Sequence, residues 1–190
     1  MSYDGELTNL LVEVLKNKGA KLIGIGEMSG VENLGYSVGI SVAVPVPKNI
    51  CIQLKNKPTK EYYDMYYELN SRLNEIVKSG EDFLLNRGYK AYAQTTDKVK
   101  SNAEKKTPVP HKTVACKAGI GWIGKNCLLV TKEYGSAVRL SSLLTDAPLK
   151  WSSAVTKSLC GSCMVCVKSC PAQALKGELW QAGMDRDKLF

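Results

Sequence analysis

Twelve residues, "CGSCMVCVKSCP" at 160–171, constrain this chain more than any other stretch. Cys160, Cys163, Cys166 and Cys170, followed by Pro171, have the C-x2-C-x2-C-x3-C-P spacing that iron–sulfur proteins use to wrap a cluster. Three closely spaced thiolates embrace one cubane, and the turns between them aim backbone N–H groups at its sulfurs. The proline helps turn the fourth cysteine away. Zinc sites favour C-x2–4-C pairs separated by a longer interval, so the run predicts a [4Fe–4S] cluster as the bound metal group. Four of seven cysteines fall within these residues, and seven is an odd number. That is cofactor spacing in a reducing compartment rather than a disulfide framework, and the cytoplasm is the expected location.

In two-cluster ferredoxin modules the fourth cysteine of such a run serves the other cluster. Two arrangements are therefore open. Either the four cysteines share one cluster, or the chain is a fragment and a second [4Fe–4S] cluster is completed outside it. The ending "GELWQAGMDRDKLF" favours the fragment, because it shows no second cysteine motif. Cys51, Cys116 and Cys127 read as small buried residues, with Cys127 opening a buried strand.

Upstream, the periodicity predicts alternating helices and strands. Leu7, Leu10, Leu11, Val14 and Leu15 have helical spacing over 6–18, with Gly19 as a stop. Residues 21–26 and 35–47 read as strands, the second ended by Pro45 and Pro47. Over 59–87, Met65, Tyr66, Leu69, Leu73, Ile76, Val77 and Leu84 form one face of a long helix, capped by Gly88. Residues 89–94 read as a further strand. "CLLVTKEYGSAVRLSSLL" then reads as strand 127–131, turn "KEYG" and strand 136–144, paired as a hairpin.

The stretch "GIGWIGKN" at 119–126 contains both G-x-G-x-x-G and G-x-x-x-x-G-K. Both nucleotide loops need a strand before and a helix after, so that phosphate meets a helix N-terminus. Here a short helical turn precedes and strands follow. Asn126 stands where a Walker loop needs Ser or Thr for Mg²⁺, and Arg139 and Leu140 stand where a dinucleotide fold places its acid. The glycines therefore make a turn that lets backbone approach something closely, with Trp122 packed on it.

Net charge is +8 and the sequence pI about 9.1. This balance admits a polyanionic partner such as nucleic acid. Residues 97–112 form a lysine-rich loop, held out of regular structure by Pro108 and Pro110, that is either solvated or faces a phosphate-bearing ligand. No apolar run is long enough to span a bilayer, so no membrane partner is expected.

Two blocks together, "KAGIGWIGKNCLLVTKEYGSAVRLSSLLTDAPL" at 117–149 and the cysteine run after it, resemble the epoxyqueuosine reductases, cobalamin-dependent iron–sulfur enzymes of tRNA modification. Reductive dehalogenases are more distant relatives with similar cofactors. The resemblance implies an α+β fold: a nitroreductase-like corrinoid-binding domain over 1–150, followed by a ferredoxin-type module over 151–190, partial in this chain. It implies cobalamin against the hairpin, with Val130 and Ser141 as contacts, and a cluster that passes electrons to the corrinoid. An electron donor protein or small reductant and tRNA would be the partners.

The family's proton-donating Asp lies fourteen residues before Gly119, where this chain has Lys105. Glu104 is adjacent, and His111-Lys112 replaces the acid-arginine pair that usually follows. A lysine ammonium holds its proton too tightly to stand in for a carboxylic acid at neutral pH. Glu104 and His111 are the remaining candidate proton donors, although a lone His beside a proline also reads as a polar surface residue. These departures point to a paralogue with the redox apparatus kept and the acid lost or moved. A non-catalytic iron–sulfur electron carrier or redox sensor without corrinoid is the alternative.

Overall fold

The computed structural model describes residues 3–54, 57–104 and 106–190. Helix α1 (Gly5–Asn17) starts where the Asp4 carboxylate accepts the Leu7 N–H at 2.8 Å, giving an orphan donor of the first turn its partner. Its Leu7, Leu11 and Leu15 recur every four residues and are buried. Helix α3 (Lys60–Leu85) follows the short α2 (Lys48–Gln53) and is capped in the same way by the Thr59 hydroxyl. Its buried face carries Met65, Leu69, Leu73, Ile76, Val77 and Leu84, the positions that periodicity selects.

These helices cover one face of a four-stranded antiparallel sheet. Strands β1 (Leu22–Glu27), β2 (Val38–Pro45), β6 (Val138–Thr145) and β3 (Ala91–Ala93) lie side by side in that order. Seven of the eight residues of β2 are buried, as expected of an interior strand covered on both faces. Ile25, Ile40, Val42 and Leu143 join the α1 and α3 side chains in the main core.

Helix α4 (His111–Lys117) packs on the opposite face. Its approach depends on Gly24 and Gly26 of β1. A Cβ at Gly24 would lie 2.3 Å from the Ala118 carbonyl oxygen, and one at Gly26 would lie 2.4 Å from that of Lys117. Any side chain there would push the end of α4 off the sheet.

The expected hairpin is corrected. Strand β5 (Leu129–Thr131) pairs with β4 (Gly121–Ile123) in a separate two-stranded sheet, with Trp122 opposite Val130. Strand β6 instead enters the main sheet between β2 and β3. Its last five residues are all buried, and a two-stranded ribbon could not cover both of their faces. Gly121 permits the β4–β5 pairing, since a Cβ there would sit 2.1 Å from the Val130 carbonyl oxygen. The "GIGWIGKN" stretch thus holds β4 at its centre, and the turn that follows lies over Gly124–Cys127.

Beyond β6 regular structure is sparse: α5 (Val165–Lys168) and a 3-10 turn at Arg186–Lys188. Residues 156–158 and 180–182 run antiparallel, with Ser158 N–H donating to Trp180 O and Ala182 N–H to Thr156 O, both at 2.7 Å. Trp180, Met184 and Leu189 then pack with Ala115, Cys116, Ile123 and Leu129 in a second, smaller core. Among the described residues no helix is long and apolar enough to cross a membrane.

Candidate metal centre and its cleft

The cysteine run forms a loop around α5. Gly161 takes φ +54°, and the Cys163 N–H returns to the Cys160 carbonyl at 3.2 Å. Past α5 the backbone turns again at Gln173, φ +50°, so that the N–H groups of residues 172–175 face the Cys170 sulfur and hold its thiol below the ordinary range. Such a nest of N–H groups favours an anionic sulfur. Among the described residues no three Cys, His, Asp or Glu side chains close on a single metal ion. A four-iron cluster is larger than one ion and asks for a wider ring of thiolates.

The β4–β5 turn supplies the other wall. Burial works against the Cys160 thiolate, but the Ser158 hydroxyl, the Lys125 backbone N–H and the Trp122 indole outweigh it and hold this thiol down too. The Trp122 Nε1–H is buried and has no hydrogen-bond partner among the described residues, a donor free for an added group. Lys125, 5% exposed, reaches Gly161 O at 2.9 Å, Cys163 O at 3.1 Å and Met164 Sδ at 3.3 Å. Thiols held toward the anionic form, a free N–H beside one of them and a buried cation make a donor set suited to an anionic iron–sulfur cluster.

Next to this loop lies a cleft of about 500 Å³, between residues 106–113 and the segment 180–189. Ile123, Trp180, Met184 and Leu189 form its apolar wall, and Lys112, Cys127 and Arg186 its polar one. Lys112 donates to the Cys127 carbonyl at 2.6 Å, and burial lowers its pKa. Cys127 does not open a strand. It sits half-buried in the β4–β5 turn at φ +61°, and burial pushes its thiol up. Cys116 is buried in α4 as expected, its thiol pushed up to about 12 by burial, whereas Cys51 is only half-buried.

The remaining candidates are scattered. Glu104 is exposed and pairs with Lys106 at 3.1 Å; Lys105 lies outside the described residues. His111 is not in a loop. It is the first residue of α4, half-buried, with Nδ1 at 2.6 Å from the Ser142 Oγ. That hydroxyl also accepts from Gln94 Nε2 at 2.7 Å, and its own proton is free to be donated to Nδ1 of the neutral ring. Burial, then the charge of Arg139, lowers the His111 pKa to about 4, which keeps the ring neutral at neutral pH. Ser141 is buried and its hydroxyl donates to Gln94 O at 3.1 Å; Val130 is half-buried on β5. Neither lines the cleft. In the basic loop, Lys98 pairs with the buried Glu81 at 3.0 Å and so points inward.

Reading the sequence missed Trp122 and Lys125 as neighbours of the cysteines. The one signal was a lysine inside an apolar, glycine-rich stretch.

Three comparisons bear on this arrangement. An epoxyqueuosine reductase of Lactococcus garvieae is 38% identical over 151 residues, covering 73% of this chain and 38% of that protein. The chain is a relative of the epoxyqueuosine reductases. It spans 17 to 38% of the length of the first curated relatives it matches. Among solved structures, an epoxyqueuosine reductase with a tRNA-Tyr stem loop superposes with a TM-score of 0.62 at 23% identity, over 89% of this chain and 52% of that one. A catabolic reductive dehalogenase superposes with a TM-score of 0.74 at 15% identity, over 89% and 25%. These two likenesses establish a shared fold. No family model matches the chain.

Proposed function

We propose that this chain is part of an iron–sulfur oxidoreductase of the epoxyqueuosine reductase kind, in which Cys160, Cys163, Cys166 and Cys170 hold a [4Fe–4S] cluster. The observation that carries the reading is the cysteine loop itself, turned at Gly161 and Gln173 and clasped by the buried Lys125 ammonium at the carbonyls of Gly161 and Cys163. The division implied is a corrinoid-binding domain over 1–150 and a ferredoxin-type module over 151–190. Kinship with a reductase whose structure is tied to B12-dependent dehalogenation supports a corrinoid as electron acceptor. The cleft lined by Ile123, Trp180, Met184 and Leu189 offers a place for its edge, with Val130 and Ser141 as the further contacts that the resemblance implies.

When bound, a corrinoid supplies the nucleophilic reduced metal that reductive attack on an epoxide requires. This chain's part is to hold and shield. Trp180, Met184 and Leu189 exclude water from the cleft wall, and Lys112 ties α4 to the turn at Cys127. The solved structure with a tRNA stem loop and the net charge of +8 support tRNA as the macromolecular partner.

A second reading, an electron carrier without turnover, is favoured by the proton-donor region. His111 is held neutral, Glu104 is exposed and paired with Lys106, and the family's acid is replaced by Lys105. Anaerobic titration of the cluster-loaded chain with cob(II)alamin, followed by electron paramagnetic resonance, separates the two. A changed cobalt signal at one equivalent is expected. An unchanged signal beside an intact cluster leaves the carrier.

A further inference from the structure

Lys125 presents a charge problem. It is buried, yet none of the ion pairs among the described residues includes it. Its ammonium meets only two carbonyl oxygens and a thioether, all on the loop of Gly161, Cys163 and Met164. Carbonyl dipoles satisfy its hydrogens but leave its charge without a counter-ion, an arrangement that low-dielectric surroundings penalise heavily. A cluster held by four thiolates is a net anion in both oxidation states and gains one further negative charge on reduction. We infer that Lys125 is the built-in counter-charge of the cluster and biases it toward the reduced state, beyond clamping the 161–164 loop.

This rests on the cluster reading above. Cluster potentials respond to net charge, so a cation held against the 161–164 loop favours the form with the extra electron. The reaction read is a one-electron transfer: dithionite is oxidised, the cluster gains the electron, and no bond is made or broken in the protein.

The test is a redox titration of the loaded chain, followed by the paramagnetic signal of the reduced cluster, with iron and sulfide determined alongside. Lys125→Gln keeps an N–H donor but loses the charge. It is expected to hold parental iron while its reduced-to-oxidised ratio at the parent's midpoint falls about tenfold, equivalent to about 59 mV for one electron. Lys125→Arg keeps the charge and should stay near the parental ratio. An unchanged ratio in fully loaded Lys125→Gln would make the residue a clamp only and overturn the inference. If Lys125→Gln takes up no cluster, Lys125→Arg decides: loading there supports a requirement for charge, and failure of both shows that shape alone matters. Iron in the parent is measured first, since a parent chain that binds none refutes the cluster reading itself, and this inference with it.

Discussion

Between α3 and the sheet, Leu73, Ile76, Val77 and Leu143 lose nearly all of their surface; from Trp151 to Phe190 only Leu189 is buried. The first region is held by apolar contact, worth roughly 25 cal/mol for each Å² removed from water. The second has too little such contact to order forty residues against their conformational entropy. What it has instead are turns at Gly161 and Gln173, N–H groups aimed at Cys170, and Lys125 reaching across from the β4–β5 turn. A metal group that binds the folded loop and not the unfolded one contributes its binding free energy to folding. On the proposed reading, one part of the chain folds on its sequence pattern and the other on its cluster.

The largest expected effect breaks the pair apart. Cys163→Ala should lose most bound iron, and residues 151–190 should then be cut by protease while the core of α1, α3 and the sheet keeps its melting temperature. Measuring iron, proteolysis and thermal melting on one sample checks this. A protected tail in iron-free protein would mean that Trp180, Met184 and Leu189 hold it unaided, and the comparison would fail.

The reverse experiment acts on the body. Leu143 is fully buried, with a methyl group against the open side of Gly80 on α3. Leu143→Ala should destabilise the chain by about 2–5 kcal/mol in urea melts, the range for an unfilled leucine cavity. Iron bound per folded chain should not change, because Leu143 touches none of the cysteine loop's supports. Iron loss in step with the destabilisation would show that the two regions fold as one unit.

The same division governs what the sequence reveals. The helices are legible because Leu7, Leu11 and Leu15, and the α3 series from Met65 to Leu84, repeat at the helical period, which is a local property. The cysteine run stands out in the sequence because its spacing is a local property too. Strand pairing is not local: β5 could have met β6 across "KEYG", and the choice of β4 depends on Gly121 and on the burial that β6 finds in the main sheet. The role of Lys125 was hidden for the same reason, since its contacts begin thirty-six residues away. Pro110 breaks regular structure when read as a loop residue, but here it occupies the N-cap of α4 and makes His111 the first residue of a helix.

His111 gives the smallest of these effects and belongs wholly to the body. Its pKa is about 4 in the folded chain against 6.5 for an unburied histidine. Between those values the unfolded chain binds a proton that the folded chain does not, so stability falls as pH falls from about 6.5 to about 4 and is level on either side. The shift of about 2.5 units corresponds to about 3 kcal/mol at most. His111→Asn should remove this slope while leaving the acid sensitivity of the carboxylates. Urea melts of both chains in the cluster-free state, at intervals from pH 7.5 to pH 4, would show the difference. Equal slopes would mean that His111 is protonated in the folded chain, with Ser142 accepting from Nδ1–H. The ring would then again be a candidate acid, and the electron-carrier reading would lose its main support.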